Sequence, residues 1–293
     1  MSLEIIIDIL MDGLIDSLKL VPFLFVTYLL MEYLEHKTST KTRAVIRRAG
    51  KLGPVAGSIV GVFPQCGFSA AASNLYAGGV ITTGTLLAVF LSTSDEMLPI
   101  FISESVNMWG ILLILGIKVI LGIITGFLVD FLFRFRPAAI RYKEIHSMCE
   151  SEHCGCEESV FRSAVKHTLK IFVFIFVFSV ILGFLITLGG EERIASLLGG
   201  HPLLGPLLAG IVGLIPNCAS SVVITQLFLN HLISFGTMMA GLLVGSGVGL
   251  LVLFRANKRW KENLSILGML YISGVVWGIA LEFVGKVLPD IFF

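Results

Sequence analysis

Long apolar stretches separated by short charged segments dominate the chain. A helix needs roughly 20 predominantly apolar residues to cross a bilayer. Eight candidate spans cover residues 18–35, 53–77, 80–101, 108–134, 165–188, 203–229, 231–254 and 264–288. The start of the chain differs, because apolar positions at helical spacing alternate with an acidic residue every four positions. This pattern predicts an amphipathic interfacial helix at 1–16 and an all-α polytopic membrane protein after it.

Composition and loop charge agree with this class. Hydrophobic residues make up 56% of the chain and charged residues 14%, whereas soluble proteins carry about 25% charged residues. Basic residues cluster in the segments 34–51, 135–168 and 254–263, which predicts that these face the cytoplasm. The segments 102–108 and 189–202 carry acids and are expected outside. No basic segment opens the chain, so we expect no cleavable signal peptide.

The loop assignment conflicts with eight plain crossings. Two apolar stretches lie between the inner loop 34–51 and the outer loop 102–108, where an odd number of crossings is required. The same conflict recurs in the second half of the chain. In each half one stretch contains a helix breaker, Pro64 or Pro216,. We therefore predict that the Pro-containing stretch enters and returns as a broken hairpin, which gives about ten helices.

An internal repeat supports this interpretation. A shift of 152 positions places 53–94 on 205–246 with 15 of 42 positions identical and no gap. Shared lipid composition would align Leu and Val by chance, but it would not align single Pro, Cys and Ser residues. The matched positions include Pro64 with Pro216, Cys66 with Cys218, Ser69 with Ser221 and Ser94 with Ser246.

The flanking loops give the sense of the duplication. The basic segment before the first repeat corresponds to an acidic segment before the second, so the two repeats should lie in opposite orientations. Inverted repeats with interrupted helices are typical of secondary transporters whose substrate site lies near the midplane. We predict repeat 1 at 17–134, repeat 2 at 169–293 and a cytoplasmic linker at 135–168.

Polar groups beside the helix breaks form the candidate substrate site. Broken helices in a membrane are tolerated only where protein or a water-filled cavity covers the backbone. Asp95 and Glu96 add carboxylates, which are functional candidates within a span and suit manganese, magnesium or calcium. The predicted metal-binding set is Gln65, Cys66, Ser69, Ser94, Asp95, Glu96, Asn217, Cys218, Ser221 and Ser246.

Three further ionisable residues lie in the apolar stretches. Lys118 should reach roughly the depth of Asp95, which allows one ion pair. Asp130 and Glu282 coincide at the shift of 152, and each ends the last helix of its repeat. We expect these two carboxylates to be solvated at the membrane interface.

The linker carries a second candidate metal site. The sequence "HSMCESEHCGCEES" places thiols and imidazoles among acids, at His146, Cys149, His153, Cys154 and Cys156. Such a density of ligands binds transition metals, and a cytoplasmic position argues against a structural disulfide. Two interpretations stay open, an auxiliary metal-capturing or metal-sensing loop and an acidic linker between the halves.

With Pro64-Gln65-Cys66, Pro216-Asn217-Cys218, Ser94-Asp95-Glu96 and the His/Cys loop in view, the chain resembles a known family. It is similar to bacterial manganese transporters that are also described as heavy-metal or arsenic efflux permeases, and distantly to organoarsenical permeases. The resemblance covers most of the chain. It implies export of a metal ion, manganese(II) first, across the inner (cytoplasmic) membrane of a prokaryote.

Other function classes are less compatible with the sequence. It contains neither a Gly-Lys phosphate-binding motif nor H-E-x-x-H, so we expect no enzyme and no cofactor, with the metal ion as substrate. Without a nucleotide site, transport should be driven by an ion gradient, for which we expect protons. One alternative is a permease for trivalent arsenicals or another soft metal that uses the paired cysteines. A second is a membrane metal sensor that transports nothing. The expected surroundings are the lipid bilayer without nucleic acid, and homo-oligomerisation is left open.

Overall fold

The computed structural model describes residues 52–63, 66–94, 97–133 and 203–285, together with individual helical residues between 7 and 29 and between 165 and 181. All regular structure within these described residues is helical. The two long described regions hold ten helices. They are α1 (Gly53–Gly61), α2 (Cys66–Ala77), α3 (Thr83–Ser92), α4 (Met97–Ser103), α5 (Met108–Phe133), α6 (Leu204–Gly213), α7 (Cys218–Leu229), α8 (Phe235–Val244), α9 (Gly249–Ala256) and α10 (Trp260–Gly285). The predicted all-helical fold class with about ten helices is confirmed.

The last five helices repeat the first five at the predicted shift of 152 positions. The pairs α2 and α7, α3 and α8, and α5 and α10 correspond at both bounds. The pairs α1 and α6, and α4 and α9, differ by one residue at one bound. The sequence repeat therefore extends to the secondary structure of both halves.

The first three helices fold back and forth. A Cβ atom added to Gly53 would meet Thr85, and one added to Gly61 would meet Ser92. Because these contacts advance together along both helices, α1 and α3 run in parallel. The chain can return to the start of α3 only through α2, so α1 and α2 run in opposite directions.

Helix α5 runs antiparallel to the broken unit formed by α3 and α4. Gly84 at the start of α3 lies against Gly126, while Lys118, earlier in α5, binds the carbonyl of Thr93 after the end of α3.

Four stretches of the described chain are long and apolar enough to cross a membrane, namely Thr83–Ser103, Met108–Leu132, Phe235–Ala256 and Trp260–Phe283. Each half thus supplies one interrupted and one continuous candidate span.

Contacts at one end of the molecule give the relative orientation of the halves. The Tyr76 hydroxyl lies 3.3 Å from Oγ1 of Thr83 and donates to Oε1 of Glu262 near the start of α10. Asp130, near the end of α5, accepts from the amide of Gly84, the neighbour of Thr83. Helix α5 therefore ends where its equivalent α10 begins, and the two halves are inverted.

A carboxylate holds the start of α3. The Oγ1 atom of Thr82 accepts a hydrogen bond from the amide of Thr85, as in an N-cap,. The same hydroxyl donates to Oδ2 of Asp130 over 2.7 Å, and the amide of Gly84 donates to Oδ1 over 2.9 Å. Negative charge is favourable beside a helix N-terminus, where backbone amides lack partners.

The second half repeats this arrangement at α8. The Ser234 hydroxyl and the amide of Gly236 both donate to Oε2 of Glu282, whose side chain is 8% exposed. These three residues are the equivalents of Thr82, Gly84 and Asp130. Interfacial solvation, the expectation for Asp130 and Glu282, is thus wrong for Glu282, which is buried, whereas Asp130 stays partly exposed. Both carboxylates bind the N-terminus of an interrupted helix.

Candidate functional site

The helices of each half are interrupted twice, and the interruptions meet. The described residues 62–63 follow α1, and the turn between α6 and α7 lies at 214–217. Thr93 and Ser94 follow α3, and the break between α8 and α9 lies at 245–248. The hydroxyl of Ser94 donates to the backbone carbonyl of Val62, which joins a turn to a break.

A small cavity of about 10 Å³, room for roughly one water-sized group, lies among these interruptions,. Its described lining is Thr93, Ser94, Asn217, Ser220, Ser221, Leu242, Gly245 and Gly247. Both halves contribute, because the first two residues belong to the break after α3 and the others to α6–α9. The structure therefore brings together Ser94, Asn217 and Ser221, three members of the predicted metal-binding set.

The lining offers oxygen atoms to a bound group. The hydroxyl of Thr93 donates to the carbonyl of Val89 over 2.8 Å, and that of Ser220 donates to the carbonyl of Asn217 over 2.8 Å. A hydroxyl whose hydrogen is committed to a carbonyl still has lone pairs for another partner. These atoms are hard ligands of the kind that magnesium, calcium and manganese prefer.

Local chemistry explains why the helices end at the cavity. The hydroxyls of Ser92 and Thr93 both donate to carbonyls of α3, including that of Val89, and such bonds compete with helical pairing. In the second half α8 ends at Val244 with Gly245 as its C-cap, and Gly247 follows with a φ of 53°. Glycine adopts this left-handed conformation without steric cost.

Lys118 connects the two halves behind the cavity wall. Its side chain is fully buried, and its Nζ atom donates to the carbonyl of Thr93 and, over 3.0 Å, to the carbonyl of Leu242. Leu242 lies within the last four residues of α8, whose carbonyls lack helical partners. A positive charge is favourable at such helix ends. The sequence predicted the depth of Lys118 and an ion pair, but not these carbonyl partners.

Two predicted site residues lie beside the cavity rather than along it. Cys66 is 9% exposed and packs in an apolar cluster that includes Ala70 and Val248. Ser69 donates to the carbonyl of Cys66 over 2.8 Å and packs against the backbone of Gly249. Neither is among the described lining residues.

Ser246 lies within the break between α8 and α9. It is 1% exposed, and its hydroxyl finds no hydrogen-bond partner among the residues that the structure describes. Pro216 precedes Asn217 in the turn before α7.

Several predicted residues fall outside the described residues. These are Pro64, Gln65, Asp95, Glu96, His146, Cys149, His153, Cys154 and Cys156, together with the side chain of Cys218. In the described part of the chain, no three residues of the His, Cys, Asp and Glu types are grouped so as to hold a metal ion. Of the predicted ligand set, the structure therefore describes the hydroxyl members, the amide of Asn217 and the thiol of Cys66, but neither carboxylate.

The two helix pairs around the cavity are not packed alike. The hydroxyl of Ser73 in α2 donates across the halves to the carbonyl of Gly249 over 2.7 Å, and to Ser69 within its own helix over 2.9 Å. Its equivalent, Thr225 in α7, donates to the carbonyl of Ser221 in its own helix and to no other residue that the structure describes. The hydrogen bond between the halves is therefore formed at Ser73 but not at its equivalent Thr225.

A family model described as "Putative, 10TM heavy-metal exporter" matches residues 2–194 of the chain. This range covers the first half, with the break after α3 and the continuous helix α5. The membrane segments of the description agree with the all-helical structure of the described residues and with their four candidate spans. No curated protein and no solved structure matches the chain.

Proposed function

Because the chain belongs to this family of heavy-metal exporters, we propose that it carries a divalent metal ion, manganese(II) first, out of the cell. The observation that supports this best is the cavity lined by the interruptions of both halves. Inverted repeats with interrupted helices place substrate sites at this position in secondary transporters. The protein is a transporter rather than an enzyme, and the metal ion is its substrate.

The lining favours a hard cation over a soft one. Its described polar atoms are hydroxyl, amide and backbone groups, whereas a soft metal or a trivalent arsenical would need thiolates. Cys66 packs in an apolar cluster instead. Replacing both Cys66 and Cys218 with Ser should therefore weaken transport without abolishing it. Loss of all transport in that variant would favour the arsenical alternative.

A charged ligand must complete the proposed site. Neutral oxygens alone would leave a divalent ion uncompensated in the membrane. Asp95 and Glu96 follow the lining residue Ser94 directly in the chain, so we assign the charge to one of them. A carboxylate that exchanges a proton for the metal would couple export to an inward flow of protons. The His/Cys loop then remains an auxiliary site on the cytoplasmic side.

In the membrane, we infer that the antiparallel pairs α1–α2 and α6–α7 form re-entrant hairpins from opposite sides. The loop charges place the first hairpin on the cytoplasmic side and the second outside. The bond from Ser73 to Gly249 packs the first hairpin against α9, while residues of the second hairpin line the cavity. This asymmetry corresponds to a conformation that opens outward.

The proposal is tested with the purified full chain in proteoliposomes. Influx of Mn²⁺, Zn²⁺, Cd²⁺ and arsenite is measured in parallel, with a pH dye to follow protons. We expect Mn²⁺ to move fastest, with protons in the opposite direction. Asn217→Ala and Ser221→Ala should each slow Mn²⁺ at least tenfold.

Matched controls separate the site from general damage. Asn230→Ala and Ser265→Ala change the same residue types at exposed positions and should keep the wild-type rate. Equal loss in the cavity variants and in these controls would contradict the site. A wild-type protein that moves none of the four probes would contradict the function.

A further inference from the structure

A buried protein cation lies behind the cavity wall and binds two of the residues that line it. The two carbonyls that accept hydrogen bonds from Lys118 belong to Thr93 and Leu242, and both residues line the cavity. One carbonyl follows the C-terminal end of α3 and the other lies in the last turn of its equivalent α8. The ammonium group thus satisfies two helix ends, one from each half.

These carbonyl oxygens can bind a metal ion as well as an ammonium group. Carbonyls in the last turn of a helix lack helical donors and carry a partial negative charge, and hard metal ions accept backbone carbonyl ligands. A metal ion bound in the cavity would lie close to the ammonium group, and two positive charges repel strongly where little water screens them. The ammonium and the metal therefore compete for the same region.

We propose that Lys118 acts as a tethered substitute for the transported metal ion. It binds the carbonyls of Thr93 and Leu242 when the cavity is empty, and it withdraws from them when the metal enters. In the empty protein, the ammonium group then compensates the partial negative charge at the helix ends of both halves. The empty protein can therefore return to the conformation that loads the metal. This inference rests on the proposed export of a divalent metal and adds a positioning residue to it.

The inference separates two modes of transport. Net transport requires the protein to return empty, whereas exchange of labelled for unlabelled metal across the membrane does not. We expect Lys118→Met in proteoliposomes to lower net Mn²⁺ flux at least tenfold and to keep ⁵⁴Mn²⁺/Mn²⁺ exchange within about threefold of wild type. Lys118→Arg keeps the charge and should restore part of the net flux. Ile120→Met, at an exposed position of the same helix, should change neither.

Metal affinity supplies a second readout. Because Lys118 competes with the metal, Lys118→Met should bind Mn²⁺ more tightly, by at least fivefold in a titration of the purified protein. A residue that merely supports the fold would give the opposite result, weaker binding. Size-exclusion elution and thermal unfolding establish that each variant is folded, and Lys118→Gln takes the place of the Met variant if that one is not.

Each outcome decides the question. Reduced net flux with retained exchange and tighter binding supports the inference. Net flux and exchange that fall together, wild-type behaviour of both, or weaker Mn²⁺ binding in the variant would overturn it while leaving metal transport intact. A wild-type protein that neither binds nor moves Mn²⁺ in the same assay would instead remove the proposed function, and the inference with it.

Discussion

The indole Nε1 atom of Trp277 donates a hydrogen bond of 2.9 Å to Oγ1 of Thr125, and these residues are equivalents, 152 positions apart in α10 and α5. In a two-fold arrangement, a residue touches its own equivalent only at the axis. The bond therefore marks the pseudo-two-fold axis between the inverted halves. The two helices meet there although they belong to different repeats.

This bond gives the first prediction. Trp277→Phe removes the donor and Thr125→Val removes the acceptor. Each change should lower the free energy of unfolding by about 1 kcal/mol. Hydrogen bonds between membrane helices contribute about 0.6 kcal/mol on average. Because both changes remove the same bond, the double variant should cost less than the sum of the single ones. Thermal unfolding in detergent measures this. Trp109→Phe, at a 78% exposed indole, serves as the control, and strictly additive losses would argue against the bond.

The carboxylates at the helix starts give the second prediction. Asp130→Ala and Glu282→Ala each remove acceptors for a hydroxyl and an amide. We expect each to cost about 0.5–2 kcal/mol, as the loss of an N-cap does, and the two losses should be similar because the arrangements are equivalent. Unfolding of Glu104→Ala, which changes an exposed acid, should be unaffected. A loss confined to one of the two variants would show that only one carboxylate stabilises its helix.

Equivalent glycines give the third prediction. An added Cβ would lie 2.7 Å from the carbonyl oxygen of Gly84 at Gly126, and 2.4 Å from Cβ of Ala240 at Gly278. Gly126→Ala and Gly278→Ala should therefore separate the long helices α5 and α10 from the interrupted ones, at about 1–3 kcal/mol each. Melting temperature and retained Mn²⁺ flux measure the effect.

The same two helices contain a matched control. Gly116 and Gly268 are also equivalents, and an added Cβ meets no atom within 4 Å at either position. Gly116→Ala and Gly268→Ala should stabilise the helices by up to about 1 kcal/mol, since alanine favours a helix over glycine. If all four variants behaved alike, close packing would not be the cause.

Much of the fold could be predicted because the repeat constrains it. Pro64 precedes α2 in the sequence, Pro216 lies in the turn that leads into α7, and single Pro and Cys matches fix the shift of 152 positions. The breaks after α3 and α8 carry no such marker. The break after α3 arises where Ser92 and Thr93 bind carbonyls of their own helix, a competition that a serine-threonine run in an apolar stretch only suggests. The break after α8 instead contains Gly245 and Gly247.

The site could be predicted only in part, because its contacts cross between the halves. Ser94, Asn217 and Ser221 were found from their place beside the breaks, and they do line one cavity. The binding of Lys118 to Leu242 joins residues 124 positions apart, and no local pattern indicates it. The roles of Asp130 and Glu282 were missed for the same reason, since each binds residues 46 and 48 positions away at the start of a helix.

The unequal contacts of Ser73 and Thr225 give the fourth prediction. If the halves exchange conformations during transport, the bond from Ser73 to the carbonyl of Gly249 should break, and Thr225 should bond to Met97, the equivalent of Gly249. Ser73→Ala then weakens the outward-open conformation by about 1 kcal/mol, a factor of about five in population. Thr225→Val weakens only the opposite conformation.

Accessibility of the cavity measures this exchange. Asn217→Cys places a thiol in the lining, and a maleimide that cannot cross the membrane is added outside intact cells, with the parent chain as background. We expect Ser73→Ala to slow labelling severalfold and Thr225→Val to keep or raise it, because only the first change removes a hydrogen bond between the halves in the proposed outward-open conformation. Equal slowing by both variants would mean that the two hydroxyls merely stabilise the fold. Labelling that neither variant alters would show that the bond from Ser73 does not bias the conformation, and another contact would have to hold α2 against α9.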